Sequence, residues 1–459
     1  MLPMKLHQTA HILSTYSADT FGVCSALFEL GGMIVMHDPS GCNSTYTTHD
    51  EPRWYDTDSL IFISGLNEQD AVLGRDDRFI RDVTESARQF EPAFICIIPS
   101  QITFLIGTDM KALTRIIGQQ TSIPCFTLPT NSMHYYARGI YYALEWLATW
   151  ACQQQESTAV GPQADQTVAA SPAPAQITST AHPTNPLRVN LLGVTPQDFS
   201  LNDADTAMKE WLQTAGFSPQ SCWAMGETLD SIIHSTEADV NLVVTYGGLG
   251  AARILQQEKG IPYVIGTPIG AMQELLAVAL RATAEDKQIR SPYLNGISPT
   301  TGQTDSTASL STLTAAPPLS LSSAPMSAGT VDNPAALADA QSAPMQPQLI
   351  VGESIYAQSL AAALEAAGCG HYQVIVPVET ERTLLRPDTL QLTDETDLIP
   401  RFAKARTIIA DPMYAPIITA DAQLIRLPHE GFSGRLYAKE IPNLITRSGF
   451  TALRAKCPQ

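Results

Sequence analysis

The chain has 459 residues, with 27 Lys and Arg against 45 Asp and Glu, and a formal net charge of −18. This balance argues against a nucleic-acid-binding protein and against an anionic membrane surface as partner, because both need clustered cations. At roughly 150 residues per domain the length predicts about three domains, and 44% apolar residues supply their cores, yet the 16% of charged residues lies below the usual quarter.

Two stretches explain that deficit. No Lys or Arg occurs between Arg138 and Arg188, nor between Arg290 and Arg382. Within these gaps, residues 153–187 and 297–347 are dominated by Ala, Ser, Thr, Pro and Gln, too poor in large apolar side chains to offset the entropy of ordering. They read as a flexible linker and a low-complexity insertion, leaving three globular blocks at 1–152, 188–296 and 348–459.

In the first block, strands are predicted at Met33–Met36, Leu60–Ser64, Phe94–Pro99 and Cys125–Leu128, with helices over Phe79–Gln89, Lys111–Gln119 and Tyr135–Trp150. The second alternates strands Val189–Gly193, Asn241–Thr245 and Tyr263–Ile265 with helices around Ala204–Ala215, Leu229–His234, Ala251–Glu258 and Met272–Ala284. The third repeats the pattern with strands at Leu349–Gly352, Gln373–Pro377, Thr407–Ala410 and Gln423–Leu427. Apolar strands alternating with helices imply parallel sheets covered on both faces, so the fold class is α/β with three Rossmann-like domains. The opening segment has no basic start followed by an apolar run, and Phe94–Ile106 is short and broken by Pro99, Ser100 and Gln101. Neither a signal peptide nor a membrane span is expected, and the location predicted is the cytoplasm.

Ligands of such folds bind beyond the carboxyl ends of the strands, so the loops there hold the candidate sites. His37-Asp38-Pro39-Ser40-Gly41-Cys42 follows the first strand, Ser100-Gln101 follows the third, and Tyr246-Gly247-Gly248-Leu249-Gly250 opens a helix in the second block. The last fails the dinucleotide pattern because Arg253 stands where a third glycine is needed, and no P-loop occurs in the sequence, so ATP hydrolysis on this chain is not expected. Cys24 and Cys42 are too far apart in sequence for a zinc knuckle. A pair of loop thiols can supply half the ligands of a cubane iron–sulfur cluster completed by a symmetry mate, or each can be a small buried hydrophobe.

Further residues resemble a known family. Phe21 through Cys24, Met36 through Cys42, Thr48-His49-Asp50-Glu51-Pro52, Leu66 through Gly74, Phe90-Glu91-Pro92 and Ile106-Gly107-Thr108-Asp109 together look like the nitrogenase component 1 superfamily, most of all its beta-type subunits. The second block continues the likeness through Asn241–Val244 and Gly260–Tyr263, and the third through Gly352-Glu353 and Leu427-Pro428-His429-Glu430. The resemblance implies a homodimer or a pairing with a paralogous subunit, an iron–sulfur cluster at the interface, and a separate ATP-hydrolysing iron protein that delivers electrons for reduction of a small-molecule substrate.

It also assigns roles. Cys24 and Cys42 are the metal ligands it implies, with His37 either bonding a cluster sulfur or stabilising the turn, and Gly41 admitting close approach of the backbone to the cluster. Gln101 stands where the family carries a third interface cysteine, which leaves two thiolates per chain and implies a 4Fe-4S cluster shared by two chains. Thr245 stands where a cofactor-binding cysteine occurs, so no iron–molybdenum cofactor and no reduction of dinitrogen are expected. Gly107 and Asp109 are expected to cap a helix, and His49, Glu51, Arg53 and Trp54 to line a substrate pocket or pack at the dimer interface, the interface being favoured. Tyr135 and Tyr136 are expected in the core, His429 is a candidate substrate ligand in an interdomain cleft, and Cys96, Cys125, Cys152, Cys222, Cys369 and Cys457 are assigned no metal. The leading reading is an iron–sulfur oxidoreductase component; an assembly scaffold for a cluster or metallocofactor, and a metal-free binding protein on the same fold, are the alternatives.

Overall fold

The computed structural model describes residues 12, 15–41, 43–46, 50–159, 186–295 and 347–458. The first sheet comprises β1 (Met33–His37), β2 (Leu60–Ile63), β3 (Ile95–Pro99) and β4 (Cys125–Thr127) in the order β2-β1-β3-β4. The second has β5 (Arg188–Leu192), β6 (Ser218–Trp223), β7 (Val240–Val243) and β8 (Tyr263–Ile265) in the order β6-β5-β7-β8. The third has β9 (Gln348–Val351), β10 (Tyr372–Val376), β11 (Leu390–Gln391), β12 (Thr407–Ala410) and β13 (Gln423–Arg426) in the order β11-β10-β9-β12-β13. Every strand pairing is parallel. Among the described residues no helix is long and apolar enough to cross a membrane.

Helices cover the sheets. They are α1 (Asp19–Leu27), α2 (Glu68–Leu73), α3 (Asp76–Phe90), α4 (Gln101–Leu105), α5 (Met110–Thr121) and α6 (Tyr136–Ala159) with the first sheet. With the second run α7 (Pro196–Phe199), α8 (Ala204–Thr214), α9 (Leu229–His234), α10 (Leu249–Lys259) and α11 (Met272–Asp286), and with the third α12 (Ser354–Ala366), α13 (Glu395–Phe402), α14 (Glu430–Ser433) and α15 (Arg447–Arg454). The apolar runs of β1 and β3 hide a two-residue alternation, since both faces are buried. Met33, Val35, Ile95 and Ile97 pack with Phe79, Val83, Leu113 and Ile117 of α3 and α5, whereas Ile34, Met36, Cys96 and Ile98 join the larger core with α1 and α6. Asp109 caps α5, its carboxylate accepting from the Ala112 amide at 3.0 Å, as expected.

Two strands escape the sequence reading. β6 carries Pro219 and polar residues and lies at a sheet edge, where a missing N–H costs no ladder bond; β11 has two residues. Helix α6 runs through Ala159, into the stretch expected as linker. Residues 160–185 of that linker, and 296–346 around the insertion, lie outside the described residues.

Helix α6 touches all three blocks at glycines. An added Cβ at Gly22 of α1 would overlap the Tyr136 backbone, and one at Gly139 of α6 would overlap Asp19, so the two helices cross at backbone contact. Gly247 meets Ile140, and Gly431 meets the Tyr136 ring. Overpacking of such a crossing costs about 1–3 kcal/mol or more. Gly139→Ala is therefore expected to lower the Tm by several degrees in a thermal melt, while Ala at the open Gly74 position, where φ is +62°, acts only through backbone strain and costs less.

Candidate functional site

Each sheet reverses strand order beside its first strand, between β1 and β3, β5 and β7, and β9 and β12, and that is where a crevice opens at the carboxyl ends. In the first domain the crevice is a cleft of roughly 250 Å³ lined by Tyr16, Phe21, Asp38, Asn43, Ser100 and Gln101, among others. Asn43 Nδ2 is buried beside it without a partner among the described residues. Ile102 at its edge and Phe104, Leu105 and Ile106 beyond it stand in solvent, Leu105 at 66% exposure.

The predicted ligands occupy different surroundings. Cys24 is wholly buried in α1, close to the stacked rings of Phe21 and Tyr46, and burial together with the nearby Glu51 carboxylate holds its thiol well above the usual range. The Tyr46 hydroxyl donates to Glu51, and both groups lie near the thiol. Cys42 and His49 lie outside the described residues. Gly41 is exposed and its Cβ position is open, so no contact within the described residues demands glycine there. The strand alternation turns His37 to the α3 side of the sheet, away from Cys24. Its ring lies 4.1 Å from that of Phe79 with Nδ1 2.7 Å from Ser64 Oγ, and burial pulls its pKa down to about 4 against the opposing effect of Asp38. Ser64 Oγ also accepts from the Asp38 amide at 3.0 Å, which is the turn-stabilising role. Cys96 is enclosed within β3, as expected.

These surroundings test the implied cluster. A bridging cluster needs thiolates at the protein surface, whereas the Cys24 thiol is enclosed and held protonated near a carboxylate. Among the described residues no three His, Cys, Asp or Glu side chains are grouped to hold a metal ion. In this conformation the described residues do not fit the cluster, and ligation by Cys24 requires its enclosure to open.

The expectation that Glu51 and Arg53 face a partner chain is corrected. Both are buried within the chain: Arg53 Nε bonds Glu51 at 2.6 Å, Nη1 bonds Glu29 at 2.9 Å and the Ala224 carbonyl at 3.2 Å, and Nη2 bonds the Ser25 carbonyl at 2.6 Å. Glu29 in turn accepts from the Gly226 amide at 2.6 Å. This network fastens the first domain to the second; Trp54 is partly buried against the core.

The crevices of the second and third sheets face one another. Glu353, after β9, caps α12 through the Ile355 and Tyr356 amides, and its other oxygen accepts from the Tyr246 amide after β7 at 2.9 Å. Asp198, after β5, accepts from the Tyr136 hydroxyl at 2.7 Å and from Thr195 at 3.2 Å. His429, after β13, is 6% exposed with neither ring nitrogen hydrogen-bonded among the described residues, and Nε2 lies 3.6 Å from Asp198 Oδ1. Beside it Glu430 accepts from Ser200 at 3.1 Å. Burial, reinforced by Asp198, pushes Glu353 up to about 7, and burial pushes Glu430 up to about 7. The enclosed space at His429 is about 10 Å³, room for one water. His429 was legible as a candidate, and Tyr136 is core as expected. Asp198 and Glu353 were missed as site residues, although both closely follow the first strand of their sheets.

The family described as nitrogenase component 1 type oxidoreductase matches residues 20–279. One subunit of the light-independent protochlorophyllide reductase of Prosthecochloris aestuarii is 26% identical over 240 residues, covering 51% of this chain and 39% of that protein. Component CfbD of the Ni-sirohydrochlorin a,c-diamide reductive cyclase complex of Methanosarcina acetivorans is 23% identical over 129 residues, covering 27% and 33%. The chain thus matches less than half the length of either relative. A solved structure of nitrogenase Cp1 at pH 5 shares the fold with a TM-score of 0.55 at 13% identity, over 98% of this chain and 90% of that one. The family match runs from the start of α1 through most of α11, over both of the first two sheets, and the chain belongs to the nitrogenase component 1 type oxidoreductase family.

Proposed function

We propose that this chain is the substrate-reducing component of a two-component reductase, receiving electrons from a separate ATP-hydrolysing iron protein and reducing a small molecule other than dinitrogen. The observation that carries this reading is the buried junction in which His429 presents two ring nitrogens, unpartnered among the described residues, beside Asp198. An imidazole offers two ring nitrogens to a ligand. Tyr136 and Thr195 hold the Asp198 carboxylate in place, and Glu430 is poised to release a proton near neutral pH. Entry of a substrate requires movement of the segment Ile441–Ile445. It is held by hydrogen bonds from Asn202 to the Ile441 carbonyl at 3.4 Å, from Asn443 to the Asn202 carbonyl at 2.9 Å and from Gln273 to the Ile445 carbonyl at 2.9 Å. The reductive reactions in both relatives' names support the class of chemistry, and Thr245 in place of a cysteine agrees with the exclusion of dinitrogen.

Cys24 and Cys42 are the thiols on which a 4Fe-4S cluster shared by two chains is proposed, with His37 and Gly41 shaping the turn beside it. The enclosure of Cys24 favours a second reading, a metal-free member of the family. Anaerobic purification separates them: about four irons and four sulfides per dimer, lost in Cys24→Ala and in Cys42→Ala, is the expected result, and a folded, iron-free dimer removes the cluster from the proposal. The exposed residues Ile102, Phe104, Leu105 and Ile106 are the face on which a second chain, a copy of this one or a paralogue, is placed. Phe104→Asp with Leu105→Asp is expected to halve the mass found by sedimentation velocity; a wild-type chain already monomeric at micromolar concentration contradicts the dimer.

The raised carboxyls give a pH signature. Their folded pKa values of about 7 exceed the usual 4.5, so the stability they contribute is fully present below about 4.5 and is lost as pH rises through 7. The Tm is expected to fall between pH 5 and 8, and Glu430→Gln, which keeps an acceptor for Ser200, to flatten part of that fall. Superimposable wild-type and variant profiles would count against the buried acid.

A further inference from the structure

The third domain carries a pair of thiols that the proposed function does not use. Cys369 sits in the tight turn after α12, between Gly368 and Gly370 with φ of +79° and +82°, and its amide donates to the Leu364 carbonyl at 3.0 Å. Cys457 follows α15, its thiol donating to the Leu453 carbonyl at 3.6 Å. One bond joins the two segments, and a second holds the Cys457 end against β13. Arg454 Nη2 bonds the Ala367 carbonyl at 2.7 Å, and Gln423 Nε2 bonds the Lys456 carbonyl at 3.3 Å. The Cys457 thiol lies close enough to that of Cys369 to interact with it. Beside the Cys457 sulfur, with Cys369 nearby, is the buried Tyr372 hydroxyl.

We propose that Cys369 and Cys457 are an oxidative modification site, closing to an intramolecular disulfide in the presence of a small disulfide oxidant. Each residue keeps 7% of its surface exposed, whereas Cys24 and Cys96, also near one another, keep none and are closed to an oxidant. One thiolate of the pair attacks a sulfur of oxidised glutathione, releasing one glutathione and leaving a mixed disulfide. The second thiolate then attacks the protein sulfur of that mixed disulfide and releases the other glutathione. Two protein thiols become one disulfide, and their two electrons and two protons leave with two molecules of reduced glutathione. Burial holds the Cys457 thiol above its ordinary value, so the reaction is faster in alkaline buffer. The bond ties α15 to the end of α12 and encloses β10 to β13 and the His429 loop in one covalent ring.

The test uses the full chain, reduced, then exchanged into oxidised glutathione at pH 8.5 and blocked with N-ethylmaleimide. Against the reduced chain blocked in the same way, the expected product carries two fewer maleimide groups and no glutathione adduct at the pair, yields a tryptic peptide linking Cys369 to Cys457, and melts roughly 5–10 °C higher until dithiothreitol reverses it. Cys457→Ser, melting like the reduced wild type, loses both the linked peptide and the shift. Maleimide on both cysteines after oxidation, or a stable glutathione adduct on either without the cross-link, overturns the proposal.

Discussion

The close approach of the α6 backbone to its neighbours governs where everything else in the molecule can sit. Glycines at the α1 crossing let two helices meet without side chains between them, and Gly247 and Gly431 bring the second and third domains onto the same rod. Close-packed interiors have no slack to absorb an added methyl there. The amino-terminal end of α6 is consequently held by groups from all three blocks. The Tyr136 amide donates to the Ser17 carbonyl at 3.0 Å, the Tyr136 hydroxyl reaches Asp198, the Tyr135 amide donates to Glu379 at 3.1 Å, and Arg138 donates to Tyr246 at 2.7 Å. The junction that carries the candidate chemistry lies at this end of the helix.

The second fastening is ionic. Arg53 is almost fully buried, and such a charge is tolerated only because Glu51, Glu29 and two carbonyls meet it. The same Glu51 that neutralises the guanidinium lies close to Cys24 and accepts from Tyr46. Interdomain attachment and the enclosure of the candidate thiol are therefore one arrangement of side chains. A change that opened one would disturb the other.

Much of the fold was legible because its strands are short apolar runs between helical patterns. Leu229–His234, Tyr263–Ile265 and Thr407–Ala410 form over the predicted residues, and the other predicted strands shift by one or two positions. Helix α1 gave no such signal. All nine of its residues are buried, so its sequence has no polar face from which a helical period can be read. At the site, the loop after β1 could be found from its position after a strand, and His429 with the help of the family resemblance. The inward turn of Arg53 could not, because an Arg beside a loop reads as solvated until the carboxylates that surround it, Glu29 and Glu51, are brought together by the fold. Asp198 and Glu353 belong to the same class, ordinary carboxylates in sequence whose meaning depends on two sheets facing each other.

Glu353 has a mechanical consequence. One of its oxygens is committed to the first turn of α12, and the other accepts from the backbone at the start of the helical segment after β7. The carboxylate is thus shared by two helix ends whose partial positive charges both favour it. Any hinge motion that parts the second and third sheets must strip it from one of them, so Glu353 acts as a clasp whose release accompanies the opening of the cavity at His429.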